Sequence, residues 1–194
     1  MQRWCSYSAC VLGLVGATAA AQPMDGQTAS AFLFKPGERV VQVSRNLGQT
    51  NRSMVEALVP LMEQQIGGKL NYYGAIAFSP DEGFQSEASQ SALNHHSVAA
   101  ADAAALKACN AKRKAGTAAC IVAARVLPKG FEKRDFTLST NATEAMRTTY
   151  RRASGAKALA VSPATGAYGV GSPDKALADC RSGGATDCRV TVQD

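Results

Sequence analysis

The sequence predicts an α+β domain: two duplicated β-β-α-β units, stapled by disulfides and preceded by a hairpin and a helix. Three observations carry that expectation. Gly74-Ala75-Ile76-Ala77-Phe78-Ser79-Pro80-Asp81-Glu82-Gly83 returns as Lys157-Ala158-Leu159-Ala160-Val161-Ser162-Pro163-Ala164-Thr165-Gly166. Ala105-Leu106-Lys107-Ala108-Cys109 returns as Ala176-Leu177-Ala178-Asp179-Cys180. Each copy then reaches a second cysteine that opens a β-like run, Cys120-Ile121-Val122 and Cys188-Arg189-Val190. Repetition of this kind is a statement about architecture, and no catalytic motif accompanies it.

The elements follow in order. Arg3, an apolar stretch over residues 9–20 and Ala19-Ala20-Ala21 before Gln22 form an export leader, residues 1–21. The apolar run is shorter than the ~20 residues a membrane span requires. Residues 22–30 are small and polar and read as a flexible lead into a single domain over 31–194, with the repeats at about 72–126 and 155–192. Phe32-Leu33-Phe34, the turn Lys35-Pro36-Gly37-Glu38 and Val40-Val41-Gln42-Val43 read as a hairpin. Ser53 and Glu56 make a capping box for a helix that buries Val55, Leu58, Met62 and Ile66, with Pro60 expected to kink or split it and Gly67-Gly68 to end it. In each unit Ser-Pro-x-x-Gly is a turn, because proline presets φ at its second position and glycine takes the positive φ at its end. Return strands are expected at 84–89 and 167–172, then helices capped by Ser97 and Ser172, then the closing strands. Between the copies, residues 128–135 are a charged turn, 136–138 a strand, and Asn141 with Glu144 a helix start.

Removal of the leader takes Cys5 and Cys10 and leaves four cysteines. An even number in an exported chain reads as two disulfides, with three possible pairings. The alternatives are free thiols or zinc, and no Cys-x-x-Cys spacing favours the metal. Because each copy owns one pair, Cys109–Cys120 and Cys180–Cys188 is the parsimonious pairing. A loop of this size contributes about 3 kcal/mol on chain entropy.

The formal charge is +6, with basic residues in short knots: Lys112-Arg113-Lys114, Lys133-Arg134 and Arg151-Arg152. Aromatic residues make up only 6%, too few to interleave with these knots as a nucleic-acid surface would require. The partner expected is a protein or an anionic envelope ligand.

These residues resemble the domain of unknown function 4189 family of exported bacterial proteins. The family pattern is a Gly-Ala-Ile-Ala-like strand, a turn, an aromatic-Gly strand, an Ala-Leu-x-x-Cys helix and a Cys-x-Val strand, often repeated. Gly74 to Ala77, Ala105 to Cys109 and Cys120 to Val122 match it in the first copy. Tyr168-Gly169, Ala176 to Cys180 and Cys188 to Val190 match it in the second. Phe84-Gln85 stands where the first copy would carry aromatic-Gly, and the first copy holds 12 more residues between its proline and its helix cysteine. The resemblance implies a periplasmic or secreted location and a fold; it implies no reaction.

His95-His96 is the one histidine pair. With Glu87, Asp81 or Asp102 it would make a metal site, or one ring a general base, but adjacent residues do not face one site on a strand or a helix. Both are expected in a polar loop, dispensable for the fold, with double replacement by alanine costing no more than ~0.5 kcal/mol. There is no Gly-x-Ser-x-Gly elbow and no phosphate loop, and Asp81-Glu82 reads as a solvated turn. The expectation is therefore a non-enzymatic binding or inhibitory protein with no catalytic residues, no metal and no cofactor. Its function would be carried by features of one copy only, residues 90–96 and 128–135. The alternative is a small exported hydrolase or metal-binding protein using His95 and His96.

Overall fold

The computed structural model describes residues 22–194, and the expected export leader, residues 1–21, lies outside them. Two antiparallel sheets organise the chain, in the α+β class. The first has the order β1-β4-β2-β3, from Arg39–Val43 (β1), Gly74–Phe78 (β2), Gln90–Ala92 (β3) and Ile121–Pro128 (β4). The second has the order β6-β5-β7, from Ala158–Val161 (β5), Tyr168–Gly171 (β6) and Arg189–Gln193 (β7). The helices are Gly26–Ala31 (α1), Gln49–Ile66 (α2), Val98–Lys112 (α3), Thr140–Ala145 (α4) and Pro173–Arg181 (α5), and a π-helical turn at Met146–Tyr150 follows α4.

The two units are β2-β3-α3-β4 and β5-β6-α5-β7, and their strand registers correspond. In both, the central strand lies between the return strand and the closing strand, and the closing strand carries a one-residue irregularity at the same place. Ile76 pairs with Ala124 and Ala77 with Val122, while Leu159 pairs with Val192 and Ala160 with Val190. Both disulfides join a helix C-terminal turn to the start of the closing strand: Cys109–Cys120 and Cys180–Cys188, each with 6.1 Å between Cα atoms.

Period-2 alternation sorts the side chains of β5. Ala158 and Ala160 face Ala176 and Cys180 of α5, whereas Leu159 and Val161 pack with Leu138, Ala142 and Met146 on the other side. Small residues on the α5 side let helix and strand approach closely. Gly169 marks the limit, since a Cβ there would lie 2.1 Å from the Ala176 carbonyl oxygen. In the first unit Val55 and Val59 of α2 and Ala101, Ala105 and Cys109 of α3 enclose β2 and β4 in one cluster.

Several local expectations differ from the structure. Residues 32–34 form no strand, and β1 pairs with β4, far along the chain, so the hairpin is replaced by a long-range ladder. Residues 26–30 of the expected flexible lead are helical, as part of α1, because the Asp25 carboxylate accepts the Thr28 N–H at 2.8 Å and caps the turn. Met24 forms a parallel bridge to Val192 on the free edge of β7. α2 begins at Gln49, ahead of the Ser53 box, and runs unbroken through Pro60. Pro60 lies on the exposed face, where the Glu56 carbonyl left without its partner is open to water. Leu58 and Met62 are partly buried as expected, and Ile66 is exposed.

The first return strand is β3, not residues 84–89, and residues 136–138 form no strand. The register also places the extra residues of the first unit. Ala75 pairs with Ala92 and Ala158 with Gly171. The first unit is then longer by about one helical turn's worth of residues at each of three places: the Ser-Pro turn, the passage from return strand to helix, and the helix itself. Ser89-Gln90, not Phe84-Gln85, therefore stands opposite Tyr168-Gly169, since Ala77 pairs with Gln90 and Ala160 with Gly169.

Candidate functional site

His96 is 4% exposed and sits between the units. Its Nδ1 accepts the Ser139 N–H at 3.2 Å, which assigns the neutral ring protonated on Nε2, and Nε2 donates to the Ala167 carbonyl at 2.9 Å. The Thr137 hydroxyl donates to the His96 carbonyl at 2.6 Å. Burial pushes its pKa down to about 4, with only partial opposition from the Ala167 carbonyl. Both ring nitrogens are consumed by backbone groups, so this ring is a structural joint, and the expectation of a dispensable polar loop is corrected. His95 is half-buried and burial lowers its pKa as well. Its backbone exchanges hydrogen bonds with Tyr73, extending the β2 ladder.

The joint has further parts. Asn94, at positive φ, accepts the Asn141 N–H through its side chain. Its carbonyl lies where Gly166 leaves room, because a Cβ on Gly166 would come within 2.1 Å of that oxygen. Residues 90–96, read in the sequence as a function-bearing insert, thus supply a strand and the contact between units.

Two of the three expected metal partners of the histidines, Asp81 and Asp102, are engaged elsewhere, and the third, Glu87, is exposed. Asp102 makes a bidentate pair with Arg125, at 2.8–3.0 Å, which raises the Arg125 pKa. Asp81 accepts the Ala118 N–H, and Glu82 accepts the Lys114 N–H and the Thr117 hydroxyl, so this turn clamps the first disulfide loop rather than being merely solvated. Asp187 performs the reciprocal task in the second unit, accepting the Ser162 hydroxyl and the Ala164 N–H; the Ser162 bond holds its carboxyl below the usual range. Among the described residues no three His, Cys, Asp or Glu side chains gather as a metal-binding group.

The copy-specific loop 129–137 does build a cleft. It lies between this loop and the first turn of α3, has a volume of about 480 Å³, and is mostly apolar. Tyr73, Val98, Ala99 and Phe131 supply apolar surface, with Lys133, Arg134 and Thr137 around them. Tyr73 is 1% exposed, so it forms the floor, and its hydroxyl, although beside the Thr137 side chain, is buried without a hydrogen bond of good geometry. Burial raises the Tyr73 pKa far above that of an ordinary tyrosine, leaving a neutral donor at any physiological pH. An orphaned hydroxyl of this kind is uncommon in a folded interior.

The walls are held in place by an aromatic chain. Phe131 contacts Tyr73 edge-on at 5.9 Å and Phe34 at 6.1 Å, and the Arg134 guanidinium lies 3.8 Å over the Phe34 ring. Arg134 also donates to the Phe32 carbonyl at 2.6 Å and pairs with Glu132. Lys133 is exposed and makes no ion pair among the described residues. Ser97 caps α3 by accepting the Ala100 N–H, which leaves the Val98 and Ala99 N–H groups without intrahelical acceptors.

Sequence reasoning named Lys133 and Arg134 but missed Tyr73 and Phe131 as site residues. The available signal was Phe131, a lone large apolar residue in a charged loop and 38% exposed in the structure. No helix among the described residues is long and apolar enough to cross a membrane. No family model, curated protein or solved structure matches this chain.

Proposed function

We propose that this chain is a non-enzymatic periplasmic or secreted binding protein, built on the repeated unit of the domain of unknown function 4189 family. Its cleft between α3 and loop 129–137 receives a small carboxylate with an apolar body. The export leader pattern and the two disulfides support the compartment. The observation that carries the ligand class is the unpartnered Tyr73 hydroxyl at the floor of an apolar cleft. A ligand acceptor would complete its hydrogen bonding, as pockets with few convergent polar groups do. Lys133 and the free N–H groups at the start of α3 favour a negative charge on that acceptor. Asp102 offers no opposing charge, being neutralised by Arg125.

Calorimetric titration of the mature protein with benzoate, phenylacetate and octanoate, each against its primary amide, tests this. At least one carboxylate is expected to bind saturably and at least tenfold tighter than its amide. Tyr73→Phe should weaken that binding about tenfold without lowering the melting temperature, since it removes an unpaired buried hydroxyl. Equal affinity for acid and amide, or full affinity in Tyr73→Phe, would refute the reading.

A further inference from the structure

A second cavity, of about 450 Å³, lies between α1, the π-helical turn and residue Lys157. Arg147, Tyr150 and Arg151 line it from the turn, and Lys157 and Asp194 from the second unit. The charges do not balance. Asp194 is satisfied, accepting the Gly26 N–H at 2.8 Å and lying 3.7 Å from the Lys157 ammonium. Asp25, the other nearby carboxylate, is turned into its own helix by the Thr28 N–H. Arg147 and Arg151 are exposed and form no ion pair among the described residues, and Arg147 makes one long hydrogen bond, to the Phe34 carbonyl at 3.5 Å. Two arginines four residues apart on one helical face thus line the same cavity.

An independent observation points into the same cavity. Tyr150 is 2% exposed, and its buried hydroxyl, although beside the Asp194 carboxylate, makes no hydrogen bond of good geometry. The Tyr73 and Tyr150 hydroxyls are the only tyrosine hydroxyls so stranded among the described residues, and each belongs to a residue that lines a cavity. A carboxylate would saturate a single guanidinium fork, whereas phosphate offers three acceptor oxygens for two forks and a phenol. The wide turn that carries these groups is of a type often found at functional sites.

We propose that Arg147, Arg151 and the Tyr150 hydroxyl form a phosphate-binding site. Its ligand is either a free phosphate group or the phosphate of a lipid headgroup. The proposal is independent of the carboxylate cleft, which shares none of these residues.

The test uses the mature, oxidised protein with inorganic phosphate, followed by calorimetry, and with phosphatidylglycerol or phosphatidylcholine vesicles, followed by sedimentation. Chloride at matched ionic strength controls for screening. The expected result is saturable phosphate binding that Arg147→Gln with Arg151→Gln reduces at least tenfold, and Tyr150→Phe about fivefold. All three replacements should preserve the circular dichroism spectrum, because the arginines are exposed and the tyrosine loses only an unpaired hydroxyl. Phosphate binding without a preference for phosphatidylglycerol vesicles supports the site with a free phosphate as its ligand. A preference for those vesicles that the double variant abolishes supports it with the headgroup. Binding equal to the chloride control, or unchanged binding in the double variant, overturns the proposal.

Discussion

At the scale of single residues the chain hides its most consequential group in an unpromising place. His95-His96 reads as a polar pair ahead of a helix, and nothing local marks His96 as interior, because its partners are backbone atoms of Ser139 and Ala167, far along the chain. Replacing it by alanine strands a buried N–H and a buried carbonyl and opens a cavity, which together cost about 2–4 kcal/mol. Urea unfolding at pH 7.5 should report that loss, and one below 0.5 kcal/mol would contradict the joint. The same ring makes stability depend on pH. Its folded pKa lies below the unfolded one, so the unfolded chain binds more protons as pH falls. The contribution is complete above about pH 6.5, falls away as pH drops toward 4, and amounts to about 3 kcal/mol. His96→Gln should flatten the dependence of the urea midpoint on pH across that window.

At the scale of elements, what the sequence made legible was periodic or paired. The central strands, both disulfide pairings and the cap at Ser97 follow from alternation, copy number and local hydrogen-bonding chemistry, while Ser172 takes the N-cap position of α5 without a side-chain hydrogen bond. What stayed hidden depends on distant partners. Val40 to Val43 form a strand, but the choice of β4 over residues 32–34 as its neighbour is made by tertiary packing. Tyr73 and Phe131 become a site only when loop 129–137 folds back over α3, an event no local pattern encodes. The close approach of elements gives a direct test. Gly169→Ala presses a methyl group on the α5 backbone, and Gly166→Ala presses one on Asn94. Each should cost about 1–3 kcal/mol by overpacking. Gly183→Ala has open space around it and should stay within about 0.5 kcal/mol. Thermal melts of the three variants, each against the wild type, measure the contrast.

At the scale of the whole molecule the two sheets share one joint, built from residues 94–96, 137–141 and 166–167. Coupling of that kind predicts a single unfolding transition. The disulfide loops, with separations of 11 and 8 residues, should each contribute about 2.5–3 kcal/mol. Removing the second one through Cys180→Ala with Cys188→Ala should move the entire transition by that amount. The near-ultraviolet tyrosine signal and the far-ultraviolet helix signal should shift together, and two separated transitions would show that the units unfold apart. The bridge from Met24 to Val192 and the bond from Gly26 to Asp194, 168 positions apart, have a consequence for the order of assembly. Both sheets and both staples can form before these contacts do, but the N-terminal segment cannot dock until the final strand is in place. Docking of that segment therefore depends on the second sheet, whereas the ladders of neither sheet depend on the segment.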